Sequence, residues 1–246
     1  MKLFFSAPVH DRPEPRFVTA FAATCVMLRA WGIDCYVEMP EGESLITRAR
    51  NNAVARFLAD KSATHLLFID ADQIFRPEHV RLLLDASQHH PLVGGLVPKK
   101  AINWPEVKAA VLAGKDPEAH AAYYVFNARD GQRATVTHGC YPVDAIGTGM
   151  MLVTRDVIGR MIAADPALAY YSDDDDAEPS PRWAVFDTGI ADGRYLSEDY
   201  LFCRRARALG VQPHIHLGIQ DVAHIGKYIY RGSVQALFLE PVPVIR

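Results

Sequence analysis

Residues 64–69, THLLFI, run straight into Asp70-Ala71-Asp72, and no other feature constrains this chain as much. An unbroken apolar run of this length is the strongest strand signal in the sequence. The carboxylates at i and i+2 then sit on the turn at its C-terminal end. Upstream, residues 2–7 form a short apolar strand stopped by Pro8. Phe17, Ala20, Phe21, Thr24, Met27, Leu28 and Trp31 recur at helical spacing, with Gly32 as the stop. Residues 33–38 read as a second strand, and residues 45–60 as a helix rich in Ala, Leu and Arg. Beyond the Asp pair, Pro77 opens a helix through Ala86 with an acid early in it, and 91–97 is another strand. Strand and helix alternate throughout, the pattern of an α/β chain with a doubly wound, mostly parallel sheet. Ligands of such sheets bind at the C-terminal strand ends, where Ser6-Ala7-Pro8 and the Asp pair fall.

The second half is less regular. Residues 100–119 read as a loop and a short helix, and 121–127 with 133–138 as paired strands around Asp130-Gly131. Residues 143–153 read as a strand broken by Gly147 and Gly149, and 156–164 as a helix. Asp173 to Asp176 is an acidic run; four adjacent acids repel one another, and a solvated loop explains them better than a metal site. A helix over 198–209, a strand near 213–216 and a basic, aromatic tail from His224 complete the chain.

Five constellations could carry chemistry. Asp70 and Asp72 can converge on one hard cation that also binds a diphosphate; read structurally, one caps the next helix and the other bonds loop amides. Ser197-Glu198-Asp199 suits a helix N-terminus, with Ser197 as the cap, and a carboxylate fixed there is also a well-placed general base. His224, followed by Gly226, Lys227 and Tyr228, places an imidazole ligand beside phosphate-binding side chains; a lone His is otherwise a structural residue. Arg50 can grip a phosphate through its fork of donors, although Arg and Asn51 at an exposed helix start need no partner. The Gly147-Thr148-Gly149 segment either lets backbone approach a sugar or forms a bulge.

Taken in order, RARNN at 48–52, FIDAD at 68–72, GTGMMLV at 147–153, SEDYLFCRRARALG at 197–210 and HIG at 224–226 resemble a GT-A glycosyltransferase of the family 2-like kind, in its compact bacterial or phage form. The resemblance spans residues 3 to 231. It implies a Rossmann-like nucleotide-diphospho-sugar transferase fold in a single domain over 1–246. Residues 1–98 would be its nucleotide-binding half, and 99–246 an acceptor half with a closing tail. It implies a hexosyltransferase-type enzyme moving sugar from a nucleotide-sugar, UDP-sugar by default, to a hydroxyl of a glycan or other acceptor, a modified DNA base among them. Asp72 would be the principal ligand of Mn²⁺ or Mg²⁺, with His224 completing the protein side. Asp70 would hold the donor ribose or sugar and support the metal. Asp199 would be the acceptor-activating base and Glu198 its positioning partner. Pro8 would line the nucleobase pocket with Arg50 nearby, and Lys227 and Tyr228 would contact the diphosphate. Residues 100–140 and the loop DRPEPRF depart from the pattern.

Composition excludes little but agrees. In 246 residues, half are apolar and 22% are charged, ordinary globular values. A formal charge of −3 gives no bulk attraction to nucleic acid or acidic membranes. Cys25, Cys35, Cys140 and Cys203 are scattered, read as free thiols, and favour a reducing compartment. No stretch approaches a membrane span or a signal peptide, so the expected location is cytoplasmic. Two other functions share parts of the pattern: a silent nucleotide-sugar or glycan-binding module, and a haloacid-dehalogenase-like phosphatase with Asp70 as nucleophile. The second normally carries its DxD on the first strand.

Overall fold

Apolar runs that fill both faces of a strand demand cover on both sides, and this chain supplies it with helices. The structure, a computed structural model, describes residues 1–124, 135–171 and 181–239. The first half holds β1 (Lys2–Ser6), α1 (Pro15–Ala30), β2 (Asp34–Glu38), α2 (Ile46–Ala59), β3 (His65–Ile69), β4 (Gln73–Ile74), α3 (Pro77–Ala86) and β5 (Leu92–Gly94). The chain continues through β6 (Pro98–Ile102), α4 (Trp104–Leu112), β7 (Ala122–Tyr124), β8 (Cys140–Pro142), β9 (Met150–Thr154) and α5 (Arg155–Ala164). The short pairs β10 (Ala169–Tyr170) with β11 (Arg182–Trp183), and β12 (Gly189–Ala191) with β13 (Arg194–Leu196), precede α6 (Glu198–Ala208). Last come β14 (His214–His216), β15 (Ala223–Ile225), β16 (Ile229–Tyr230) and α7 (Val234–Leu239).

The seven-stranded sheet has the order β2-β1-β3-β9-β5-β14-β8. Strands β2, β1, β3, β5 and β14 share one direction, and β9 and β8 run against them. Alternate side chains of each strand enter opposite layers. Phe4, Leu66, Phe68, Met151 and Val153 pack with α2, α5 and α6. Leu3, Phe5, Leu67, Ile69 and Leu152 pack with α1 and α3 on the other face. The residues that follow β1 and β3, Pro8 and Asp70 to Asp72, line an open cleft at the C-terminal end of the sheet.

Two local departures from the sequence expectation matter. Only Met150–Thr154 of the 143–153 segment is strand; Gly147 to Gly149 lies in the loop feeding it, beside the Asp70 corner. Among the described residues strand β7 pairs with β6, a neighbour the sequence does not suggest. The expected turn at Asp130-Gly131 and the acidic run 173–176 lie outside the described residues.

A second, smaller sheet positions the tail. Its order is β16-β15-β4, with His224 opposite Gln73 and Ala223 opposite Ile74. The Ile225 amide donates to the Asp72 carbonyl over 2.8 Å. Backbone pairing alone therefore carries His224 back to the Asp turn across 152 residues.

Candidate functional site

Strand β3 ends at Ile69 and the chain turns through Asp70-Ala71-Asp72, with the Asp70 amide bonded to the Gly149 carbonyl. Arg50, from the second turn of α2, reaches under this corner. Its side chain is only 3% exposed, its Nη2 donates to Asp70 Oδ1 over 2.9 Å, and its Nε donates to Glu198 Oε1 over 3.4 Å. The guanidinium also lies 5.3 Å over the Phe68 ring. Its Nη1 is buried without a hydrogen bond among the described residues. A buried arginine with an orphan donor, flanked by two carboxylates, has hydrogen-bonding capacity left for a ligand.

Asn51, next to it, turns the other way. It exchanges two bonds with the Phe186 backbone, donating to the carbonyl over 2.8 Å and accepting the amide over 2.9 Å. Neither Arg50 nor Asn51 sits at an exposed helix start. Both are buried, and Asn51 is structural.

The other half of the site gathers at Asp72. Its Oδ2 accepts from Lys100 Nζ at 2.6 Å and faces His224 Nε2 at 3.1 Å. Burial pushes the Asp72 carboxyl up, but the bonds from His224 and Lys100 outweigh it and hold the group below its usual value. His224 Nδ1 lies 2.9 Å from the Pro98 carbonyl, which can only accept, so Nδ1 carries the hydrogen. With Nε2 protonated as well, the ring donates to the carboxylate; in the neutral ring Nε2 is a lone pair, and the two atoms face one another favourably when a metal cation lies between them.

Octahedral Mg²⁺ ligands at about 2.1 Å sit roughly 3 Å apart when adjacent. The Asp72–His224 spacing fits such an ion held at two points, with its other positions left to water and phosphate oxygens. Asp70 Oδ1 accepts from Arg50, and no group of three or more His, Cys, Asp or Glu suited to a metal forms among the described residues.

Asp199 is the second residue of α6, in its first turn. Its Oδ1 accepts from the Tyr200 amide over 2.8 Å and from the Ser197 hydroxyl, so the carboxylate cannot rotate freely. Ser197 occupies the N-cap position, yet its side chain makes no bond to the helix backbone. The expected Ser197 cap is replaced by this link to Asp199. A Cβ on Gly147 would stand 3.6 Å from Asp199 Oδ2, and one on Gly149 would stand 3.5 Å from Asp70 Oδ2. The Gly-Thr-Gly loop thus runs bare backbone past both carboxylates.

Two clefts meet at Arg50, Asp70 and Glu198. The larger, about 600 Å³, is walled by Pro8 and its loop, Ser44, Asp72, Lys100 and Gly226. The smaller, about 240 Å³, is walled by Gln73, Gly147 to Gly149, Asp199 and His224. Gln73 is fully buried there and its Oε1 has no partner among the described residues.

The structure therefore gathers Pro8, Arg50, Asp70, Asp72, Glu198, Asp199 and His224 around one opening. It does not bring Lys227 and Tyr228 to it: Lys227 is exposed, and Tyr228 lines a separate pocket of about 330 Å³ with Trp104 and Tyr230. Lys100 and Gln73 were missed by sequence reasoning. Lys100 reaches Asp72 because β6 lies beside β15, and nothing in the sequence announces that neighbour.

No protein-family model matches the sequence, and no curated protein sequence does. Solved structures do match. A197 from STIV superposes with a TM-score of 0.53 at 12% identity, over 100% of this chain and 98% of that one. GalNAc-T7, solved with UDP, GalNAc and Mn²⁺, superposes with a TM-score of 0.50 at 11% identity, over 99% of this chain and 46% of its own. No helix among the described residues is long and apolar enough to cross a membrane. Strand order, the two helical layers and these likenesses agree on the architecture: the chain has the GT-A fold, a mostly parallel central sheet flanked by helices.

Proposed function

We propose that the protein is a glycosyltransferase taking a nucleotide-diphospho-sugar, UDP-sugar by default, and passing the sugar to an acceptor hydroxyl. The observation that carries this reading is the junction of two clefts over Arg50, Asp70 and Glu198. One cleft is large enough for a nucleotide, and the other contains an anchored carboxylate, Asp199.

The donor lies in the larger cleft, its base against the Pro8 loop and its diphosphate beside Asp72. Residues 1–98 supply most of that wall, and the later half supplies the acceptor side. Asp72 and His224 would hold a Mg²⁺ or Mn²⁺ ion, and that ion would supply positive charge against the leaving diphosphate. Asp70 and the orphan donor of Arg50 bind ribose or sugar hydroxyls. In the smaller cleft the acceptor hydroxyl meets Asp199 Oδ2. As the acceptor oxygen bonds to the anomeric carbon, the carbon–oxygen bond to the diphosphate breaks. That bond's electron pair leaves with the diphosphate, and the hydroxyl proton passes to Asp199. Glu198, tied to Arg50, keeps the two clefts in register. The acceptor is a glycan or another hydroxyl-bearing molecule.

Donor hydrolysis tests this without knowledge of the acceptor. Incubation with UDP-, GDP- and dTDP-sugars and Mn²⁺ should release the free nucleoside diphosphate from one of them, and Asp72→Ala should abolish the release. Binding of a nucleotide with no turnover of any donor, with or without a panel of acceptors, would favour a silent binding module.

A further inference from the structure

The oxygen that best serves a cation at this site is already in contact with one. Asp72 Oδ2, the atom facing His224 Nε2, is the same atom that Lys100 Nζ touches at 2.6 Å. Lys100 comes from β6, which packs beside β15 and β16. Its stem lies against the tail: a Cβ on Gly226 would stand 3.3 Å from Lys100 Cδ. The lysine side chain is 44% exposed and Asp72 31%, so the contact is made at the wall of the large cleft and not in the core. A half-exposed ammonium on a flexible four-carbon stem is held weakly and can swing.

We propose that Lys100 is a built-in counterion for Asp72 that a divalent cation displaces, and that the freed ammonium then binds the phosphate oxygens brought by that cation. The inference rests on the donor site proposed above. Competition follows from charge and space. A dication within bonding reach of Oδ2 repels an ammonium that keeps its present position, and a carboxylate that gives its charge to the ion holds the lysine less strongly. The ammonium needs a new anion close by. A diphosphate bound to the same ion offers one within the reach of the lysine stem. In the empty cleft Lys100 keeps Asp72 paired, which makes the bare metal bind poorly. With nucleotide present, the same residue adds to affinity. Metal and nucleotide are thereby coupled: each binds better when the other is there.

The test is Lys100→Met, which keeps the stem and removes the charge, measured beside wild type and Asp72→Asn. Mn²⁺ binding to the protein without nucleotide is read by the loss of free-ion EPR signal, and UDP binding at saturating Mn²⁺ by calorimetry. Lys100→Met should tighten Mn²⁺ about fivefold and weaken UDP about tenfold, so that the coupling between the two ligands shrinks. Unchanged or weaker Mn²⁺ binding in Lys100→Met, with Asp72→Asn still losing the ion, overturns the displacement while leaving the donor site standing. Tighter Mn²⁺ with unchanged UDP affinity overturns the hand-over to phosphate. Mn²⁺ binding indifferent to Asp72→Asn removes the donor site itself, and this inference with it. Thermal unfolding of each variant at wild-type temperature confirms that folded protein is being compared.

Discussion

Arg50 Nη2 donates to Asp70 Oδ1 over 2.9 Å while the same guanidinium reaches Glu198 Oε1 at 3.4 Å, joining α2, the end of β3 and the start of α6. Three segments far apart in sequence thus share one buried charge. Arg50→Met removes that charge and leaves two carboxylates facing one another. Loss of one partner from a buried pair costs about 3 kcal/mol, and urea unfolding should show it. Arg50→Lys should recover little, because a single ammonium cannot span both carboxylates. Full recovery by lysine would show that charge alone, and not the fork, is what the site needs.

Asp199→Asn should spare UDP and Mn²⁺ affinity and lower transfer by about 100-fold or more, the loss expected for a general base. The amide oxygen can still accept from the Tyr200 amide and the Ser197 hydroxyl, so the side chain keeps its place. Transfer near the wild-type rate in this variant would reduce Asp199 to a helix-terminal acid.

Gly94, in β5, has no room for a side chain. An added Cβ would lie 2.6 Å from the Met150 carbonyl oxygen and 3.1 Å from Ile146 Cδ1. Gly94→Ala should cost about 1–3 kcal/mol by overpacking, measured as a lower urea midpoint at unchanged slope. An unaltered midpoint would mean that the β5–β9 pair shifts to accept it.

Acid should loosen the far end of the sheet. His90 and His214 lie with ring centroids 3.9 Å apart, and His138 stacks on His89 at 3.7 Å nearby. Burial first, and then the neighbouring His90, hold His214 down to about 4. Burial lowers His90 as well. Both folded values lie below that of the unfolded chain, so the unfolded state binds more protons. Their stabilising contribution is complete above about pH 6.5 and is lost as pH falls toward 4. Urea midpoints at pH 7 and pH 5 should differ, and His214→Asn should narrow the gap. An equal gap in that variant would move the acid sensitivity elsewhere.

The sheet was legible because its strands are short apolar runs closed by Pro8, the Asp pair and glycines, and because α1 keeps helical spacing. The Asp turn was legible for the same reason: it ends the strongest run. Less visible were contacts made by register alone. His224 reaches Asp72 because β15 pairs with β4, and Lys100 reaches it because β6 lies beside that strand. Lys227 and Tyr228 follow His224 in sequence, and because an antiparallel hairpin reverses the chain within a few residues, Tyr228 lines the separate pocket with Trp104 and Tyr230.

A metal-dependent sugar-nucleotide site at Asp72 can be checked with a thermal-shift panel of UDP, GDP, CDP, dTDP and ADP, with and without Mn²⁺. At about 100 times its dissociation constant, a ligand stabilises by roughly 2.7 kcal/mol, a shift of several degrees for a chain of this size. One nucleotide should produce that shift, only with Mn²⁺, and Asp72→Ala should erase it. No shift with any nucleotide, or a shift indifferent to both Mn²⁺ and Asp72, would contradict a metal-dependent sugar-nucleotide site at the end of β3.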